Sequence, residues 1–265
     1  MYPFQYHRPA TPEQALQQAG ATGGLYLAGG QSLVQAMKLR MSQPAALIDL
    51  SQLSELQGIE VGPSSVRVGA MTRHAHVGDH PGLRAAIPAL AALASGIGDP
   101  MVRQQGTLGG SLAYNDPSAC YPSATLALDA VIHTDRRDIA AGDFFQGLYQ
   151  TALSEAELIR GVTFQRPESA AYMKFKHPAS KLALVGVFVA RFKDRVRVGV
   201  TGAKSCAFRA MDLEQALQKD FSVAAAESVF VATDDLLADI HAGATYRAGL
   251  IATLAARAVA QMLKR

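Results

Sequence analysis

The stretch that decides the fold is Leu25-Tyr26-Leu27-Ala28-Gly29-Gly30-Gln31-Ser32-Leu33. Its apolar start predicts a short buried strand over Leu25–Ala28, and its two glycines predict a turn. Its end predicts the start of a helix over Ser32–Leu39. A strand, a glycine turn and a helix aim several backbone N–H groups and a helix N-terminus at one point, which suits a phosphate. The stretch therefore predicts an anion-binding turn.

A second stretch, Gly106-Thr107-Leu108-Gly109-Gly110-Ser111, offers the same chemistry. A hydroxyl stands on each side of two glycines, which let a ligand approach the backbone closely. The first stretch lacks both the lysine of a Walker A motif and the third glycine of the G-x-G-x-x-G turn. The two stretches together predict a ligand with two phosphates, or one long ligand, rather than nucleoside triphosphate chemistry.

Composition limits the class of protein. The 265 residues allow one large domain or two modest ones, and a hydrophobic fraction of 49% is ample for a packed core. The net charge of +3 comes from scattered lysines and arginines, and tryptophan is absent. We therefore expect no nucleic-acid partner.

The N-terminus and the cysteines indicate a cytoplasmic protein. Residues 1–8 hold no apolar signal segment, and no apolar run reaches the ~18 residues of a membrane span. The two cysteines, Cys120 and Cys206, cannot ligate a four-cysteine iron–sulfur cluster. We expect two free thiols and no membrane span.

The pattern of apolar residues divides the first two thirds of the chain into two lobes. Residues 1–55 read α-β-α-β, with Thr11 as helix N-cap, Pro12 in the first turn and a helix end near Gly20. Residues 56–167 mix both element types. The predicted elements there are hairpins over residues 58–69 and 131–140, a helix over 87–94, a loop over 96–110 and a strand over 158–164.

Residues 168–265 read as a separate C-terminal domain after a linker at 165–169. Three antiparallel strands are expected over Tyr172–Lys176, Leu184–Phe192 and Val196–Val200, and the valines of the third alternate with Arg195 and Arg197. That alternation predicts one wet face. Helices are predicted over residues 212–219, 222–230 and 246–264. The fold class is therefore α+β, with a three-stranded antiparallel sheet backed by helices.

No catalytic or metal-ligating residue is predicted. His74, His76 and His80 are spaced so that a helix cannot place all three on one face, and we expect them on a solvated surface. Asp234-Asp235 reads as a charge pair at a helix N-terminus rather than an acid–base dyad.

The same motifs resemble those of a known family. Ala28-Gly29-Gly30-Gln31-Ser32-Leu33, Gly69-Ala70-Met71-Thr72 and residues 102–113 (VRQQGTLGGSLA) are similar, in order, to segments of the FAD-binding medium subunits of molybdenum hydroxylases, the xanthine dehydrogenase and carbon monoxide dehydrogenase family. The resemblance covers nearly the whole chain. It implies a two-lobed PCMH-type, vanillyl-alcohol-oxidase-like FAD domain followed by a C-terminal α+β domain.

The resemblance also implies the site. FAD would be bound non-covalently, with its pyrophosphate between the two glycine stretches. The implied cofactor contacts are Leu27, Ala28, Gly29, Gly30, Gln31, Ser32, Leu33, Met71, Thr72, Val102, Gly106, Thr107, Gly109, Gly110, Ser111, Asn115, Asp116, Cys120, Ile159 and Lys174. The chain departs from the family pattern where Cys120 replaces a carboxylate and where His177 and Lys181-Leu182 replace an arginine and an Asp-aromatic pair.

The implied partners are a small subunit with two [2Fe–2S] clusters and a large molybdopterin subunit, assembled as a dimer of heterotrimers. Electrons would pass from the clusters through FAD to an external acceptor. Two other functions stay open from the sequence. One is a stand-alone NAD(P)H-dependent flavin reductase of the same fold, and the other is an assembly subunit without FAD.

Overall fold

The computed structural model describes residues 1–264, and its first lobe is a small parallel sheet with helices. The sheet order is β1-β3-β2, and both outer strands pair in parallel with the central one. The elements are β1 (Gln5–His7), α1 (Pro12–Thr22), β2 (Leu25–Leu27), α2 (Leu33–Lys38) and β3 (Ala46–Asp49).

The start of α1 is the one predicted. The Thr11 side chain accepts a hydrogen bond from the Gln14 amide, and Pro12 occupies the first turn. The helix continues past Gly20 to Thr22 and ends at Gly23, which adopts a positive φ. Strand β1 was not predicted, because three half-exposed residues carry no periodic signal.

The second lobe is built on an antiparallel sheet in the order β4-β5-β10-β6-β7. Helices cover one face of this sheet, and its core includes Val68, Leu90, Leu112, Tyr121 and Phe164. The elements are β4 (Ile59–Val61), β5 (Ser65–Gly69), α3 (His74–Asp79), α4 (Pro81–Ala86), α5 (Pro88–Ser95), α6 (Pro100–Gln105), α7 (Leu108–Tyr114), α8 (Tyr121–Ala127), β6 (Val131–Thr134), β7 (Asp138–Ala140), α9 (Ala141–Phe144), β8 (Phe145–Gly147), β9 (Gln150–Thr151) and β10 (Ile159–Gln165).

The predicted loop over Gly96–Gly110 is wrong, because this segment holds α6 and the start of α7. Each helix has a side-chain cap: Asp99 accepts from the Val102 amide, and Thr107 accepts from the Gly110 amide. Glycine has a low helix propensity. The adjacent Gly109 and Gly110 therefore made α7 hard to predict from the sequence. The second glycine stretch is therefore a helix start like the first, but with a side-chain cap that Ser32 does not provide for α2.

The C-terminal part holds an antiparallel sheet in the order β11-β12-β13-β14, with the long helix packed across it. The three long strands lie where they were predicted, and a fourth, two-residue strand adds to them within residues 1–264. The elements are β11 (Ser169–Lys176), β12 (Ala183–Arg191), β13 (Val196–Thr201), β14 (Phe208–Arg209), α10 (Met211–Lys219), α11 (Val223–Glu227) and α12 (Ala244–Leu263).

The predicted wet face of this sheet is wrong. Val196, Val198 and Val200 face the helices of the C-terminal part, while the opposite face packs on α8 of the second lobe. Gly199 lies so close to α8 that a Cβ atom there would overlap the Ser123 carbonyl. The alternating arginines do not face open solvent either, since both Arg195 and Arg197 donate to Asp129 after α8 (2.7 and 3.0 Å).

We propose that the domain boundary stands after residue 167, between the end of β10 at Gln165 and the start of β11 at Ser169. The C-terminal part has a hydrophobic cluster of its own, while Phe188, Ala190 and Phe192 from its sheet belong to the cluster of the second lobe.

Candidate functional site

The two glycine stretches lie against each other. A Cβ atom on Gly29 would overlap the Gln105 carbonyl oxygen and lie 2.7 Å from the Gly106 Cα, so glycine is required for this approach. A second contact lies beside it, because a Cβ atom on Gly110 would stand 3.4 Å from the Ala28 Cβ. Two loops about 80 residues apart in sequence thus form one continuous surface.

The segment that follows β5 holds the second loop in place through backbone hydrogen bonds and close packing. The His74 amide donates to the Gly106 carbonyl (2.9 Å), and the Gly109 amide donates to the Ala70 carbonyl (2.8 Å). A Cβ atom on Gly109 would lie 2.6 Å from the Ala70 Cβ. Gly109 therefore serves the packing behind the loop, whereas Gly110 faces the first loop.

The first loop presents unused hydrogen-bond donors. Within residues 1–264, the backbone amides from Gly29 to Ser32 donate to no protein acceptor. Gly30 holds a positive φ, which turns the chain into α2. A cluster of free amides at a turn is a site for an anion, because the N–H dipoles point at it and the backbone needs no reorganisation.

The second loop adds hydroxyl groups. The Thr107 oxygen accepts from the Gly110 amide (3.2 Å), which leaves its own proton free to donate. In the described part of the chain, the side chains of Ser32 and Ser111 make no hydrogen bond within the protein. Free amides, hydroxyl donors and a glycine-lined surface fit a pyrophosphate, and the residues present therefore fit the phosphate part of FAD.

Four residues expected to contact FAD have side chains that instead form hydrogen bonds or pack within the protein. Thr72 Oγ1 bonds to the Gly58 amide and carbonyl (both 3.0 Å), and Asn115 Nδ2 donates to the Gly147 and Gln150 carbonyls. Met71 belongs to the core of the first lobe, and Ile159 belongs to the core of the second. Their side chains position the loops and the strand that support the site.

The remaining expected contacts lie along the two loops or directly after them. Gln31 donates to the Gly29 carbonyl (3.0 Å), and the Val102 carbonyl accepts from Gly106 (2.8 Å). Leu27 is the last residue of β2, and Leu33 is the first of α2. Asp116 accepts from the Ser118 amide (2.8 Å) and orders the turn that leads to α8.

Cys120 and Lys174 form a contact between the second lobe and the C-terminal part. The Lys174 ammonium lies 3.3 Å from the Cys120 sulfur and donates to the Gly96 carbonyl at 2.8 Å. The structure thus brings together two residues that are 54 positions apart, both of which the resemblance assigned to the cofactor.

One residue near the site was misjudged from the sequence. His74 was expected on a solvated surface, but its ring is buried and packs against Tyr121, with centroids 5.3 Å apart. Burial, together with the nearby Arg103, lowers the pKa of His74 to about 4. A Cβ atom on Gly106 would lie 2.5 Å from Nε2 of the His74 ring, so this neutral imidazole supports the second loop.

An open depression of about 390 Å³ lies beside the segments that flank the second loop. It is lined by Gln57, Thr72, Arg73, Ala75, His76 and Gln104. Among residues 1–264, no group of three or more metal-ligating side chains occurs. None of the helices in that range is both long and apolar enough to cross a membrane.

A two-lobed α+β fold with paired glycine loops and free amides defines a class of protein that binds a nucleotide cofactor through its phosphates. A family model described as the FAD binding domain in molybdopterin dehydrogenase matches residues 2–166. The chain belongs to this family of FAD-binding medium subunits of molybdopterin dehydrogenases.

The relatives are similar over nearly their whole length. The chain is 33% identical over 275 residues to the carbon monoxide dehydrogenase medium chain of Hydrogenophaga pseudoflava, covering 97% of this chain and 96% of the relative. It is 33% identical over 274 residues to the nicotine 6-hydroxylase medium subunit of Paenarthrobacter nicotinovorans, with the same coverage.

The fold agrees with a solved structure of such a complex. The structure of carbon monoxide dehydrogenase from Hydrogenophaga pseudoflava, in a form that lacks the Mo-pyranopterin moiety of the molybdenum cofactor, matches with a TM-score of 0.89 and 31% identity. The match covers 100% of this chain and 99% of that chain. The expected fold and family are therefore confirmed.

Proposed function

We propose that this chain binds FAD non-covalently and serves as the electron-transfer subunit of a cytoplasmic heterotrimeric molybdenum hydroxylase. Its partners would be a small subunit with two [2Fe–2S] clusters and a large molybdopterin subunit, assembled as a dimer of heterotrimers. FAD, when bound, supplies the redox chemistry by accepting electrons from the clusters and releasing them to an external acceptor. The substrate would be oxidised on another subunit.

The observation that carries the proposal is the contact between the two glycine loops. The free amides from Gly29 to Ser32 would hold one side of the pyrophosphate, and the hydroxyls of Thr107 and Ser111 would hold the other. Glycine at positions 29 and 110 allows the loops to lie this close. The residues thus bind and orient the cofactor, and none of them needs to move a proton.

The predicted contacts at Cys120 and Lys174 would lie away from the phosphates, toward the C-terminal part. Lys174 would bring a positive charge near one edge of the flavin. Met71, Thr72, Asn115 and Ile159 would act through the backbone that they hold in place. All of these assignments remain part of the proposal.

The experiment is to purify the chain with whatever co-purifies and to record its visible spectrum. Flavin absorption bands and two additional subunits are the expected result. A colourless chain that binds no added FAD would contradict the proposal. A yellow chain without partners that oxidises NAD(P)H would favour the stand-alone reductase.

The matched variant is Gly110→Val. Its side chain would clash with Thr107 Oγ1 and Ala28, because even a Cβ atom there lies 2.9 Å and 3.4 Å from them. We expect loss of FAD retention in a chain that remains folded by circular dichroism. Gly249→Ala, on a helix with open space around it, is the control and should retain the cofactor. Full occupancy in Gly110→Val would contradict the loop assignment.

A further inference from the structure

The Lys174 ammonium is held in one position by protein acceptors. It donates to the Gly96 carbonyl (2.8 Å), the Cys120 sulfur (3.3 Å) and the Lys181 carbonyl (3.4 Å). Gly96 is the C-cap of α5, so its carbonyl lies at the negative end of that helix. The three acceptors match the three N–H donors of an ammonium, and the nitrogen is thereby kept against the thiol.

The thiol is buried next to polar groups. Cys120 is 4% exposed, and the buried hydroxyls of Tyr121 and Tyr172 make no hydrogen bond of normal geometry within residues 1–264, although that of Tyr172 lies near the Cys120 sulfur. Burial, and to a lesser degree the adjoining Cys120, raises the pKa of both phenols well above the usual value. Both hydroxyls therefore keep their protons and remain able to donate a hydrogen bond to an acceptor at this place.

We propose that Cys120 and Lys174 form an oxidation site, at which a peroxide converts the thiol to a sulfenic acid and the Lys174 amine captures it as a covalent sulfur–nitrogen link. Sulfenic acids condense with nitrogen nucleophiles in this way. The Tyr172 hydroxyl, which lies near the Cys120 sulfur, donates a hydrogen bond to the new sulfenic oxygen. The link joins the second lobe covalently to strand β11 of the C-terminal sheet.

The two steps balance with hydrogen peroxide as the oxidant. In the first step, sulfur gives up two electrons, the O–O bond breaks, an S–O bond forms and one water leaves. In the second step, the ammonium releases a proton, its nitrogen attacks sulfur, the S–O bond breaks and a second water leaves. The sum of thiol, ammonium and peroxide is a sulfenamide, two waters and one proton, and the chain becomes lighter by about 2 Da.

The second cysteine is an internal control. Cys206 is also near a lysine, but the Lys204 ammonium is directed at Asp235 (3.3 Å) and lies over the Phe208 ring. The Cys206 sulfur is directed at the Phe145 carbonyl, 3.8 Å away. Cys206 is thus two positions from a lysine in sequence but has no nitrogen–sulfur hydrogen bond within residues 1–264, whereas Cys120 contacts a lysine 54 positions away.

The experiment treats the full-length protein, as purified, with hydrogen peroxide and maps its peptides by mass spectrometry after alkylation of free thiols. The expected result is a peptide pair joined through Cys120 and Lys174, with a matching loss of alkylated Cys120 and restoration of both by dithiothreitol. Cys206 should remain alkylated or form an unlinked acid. Recovery of Cys120 as an unlinked sulfinic acid, or as a free thiol, would overturn the proposal.

Two variants sharpen the test. Cys206→Ser should form the link to the same extent as the wild type. Lys174→Arg keeps a positive charge but replaces the amine nucleophile, so it should abolish the link. Should Lys174→Arg fail to fold, the wild-type peptide map still decides the question. The readout is a covalent bond between two side chains of this chain, so it is independent of FAD binding and of the partner subunits.

Discussion

The two glycine loops have similar sequences and opposite hydrogen-bonding states. In the first loop, the amides from Gly29 to Ser32 are unused, and the residues are half-exposed or exposed. In the second loop, Gly106 to Gly109 are buried, and the amides of Leu108, Gly109 and Gly110 are already paired. In the proposed site, the backbone of the first loop would donate to the ligand, whereas the backbone of the second loop holds the first in position and only its hydroxyls would face the ligand. A repeated motif need not repeat a role.

The largest effect is expected from Gly29→Ala, which attacks the contact between the loops. The new methyl would overlap the Gln105 backbone, which cannot turn aside as a side chain could. Overpacking of this kind costs about 3 kcal/mol, or roughly a 150-fold loss of FAD affinity. Isothermal titration with FAD measures it, and Gly20→Ala in α1, with open space around it, is the control. An unchanged affinity would show that the loops do not act together.

Acid should weaken the second loop through His74. Its pKa of about 4 in the folded chain lies below the ordinary value of 6.5, so the unfolded chain binds the proton first as the pH falls. Folding stability is therefore full above pH 6.5 and declines toward pH 4, by about 2 kcal/mol between pH 6 and 4.5. Urea unfolding across that range measures the slope, and His74→Gln should flatten it. An equal slope in the variant would assign the effect to other groups.

Gly109→Ala should separate stability from binding. The methyl would meet Ala70 behind the second loop rather than the ligand surface, and we expect a loss of about 1.5 kcal/mol in the free energy of unfolding. At temperatures well below the melting point, FAD affinity should fall less than in Gly29→Ala. Parallel thermal melts and titrations compare the two glycines directly. The reverse ranking of affinities would contradict the division of roles.

The smallest effects distinguish the two hydroxyls of the second loop. Thr107→Val removes the cap of α7 as well as a donor, and should cost about 1 kcal/mol of stability along with some affinity. Ser111→Ala removes a side chain that caps nothing, and should lower FAD affinity severalfold with no change in melting temperature. A stability loss in Ser111→Ala would mean that its hydroxyl has a structural partner.

The features of the sequence that were predictive are those determined locally. The Thr11-Pro12 helix start, the strands on either side of each hairpin turn and the first glycine turn depend on neighbouring residues. Helix α7 was missed because its stability comes from Gly109 packing on Ala70, a contact 39 positions away in the chain. Arg195, just before β13, and Arg197, within it, were misread for the same reason, since their partner Asp129 belongs to the second lobe.

The features of the candidate site also fall into those that the local sequence predicts and those that depend on tertiary packing. The residue types in both glycine loops indicated phosphate chemistry by themselves, and the resemblance supplied the identity of the cofactor. The contact between Gly29 and Gly106, the burial of His74 and the approach of Lys174 to Cys120 depend on tertiary packing. No periodicity in the sequence could have indicated them.

The backbone contact between Gly199 and Ser123 has a consequence for cooperativity. At Gly199 no side chain separates β13 from α8, and nearby Phe188 and Ala190 belong to the core of the second lobe, so opening this seam would expose both. The strands on one side and the helix on the other should therefore exchange their amide hydrogens with a common protection factor. We expect the division at residue 167 to describe architecture, and unfolding to proceed as one transition across it.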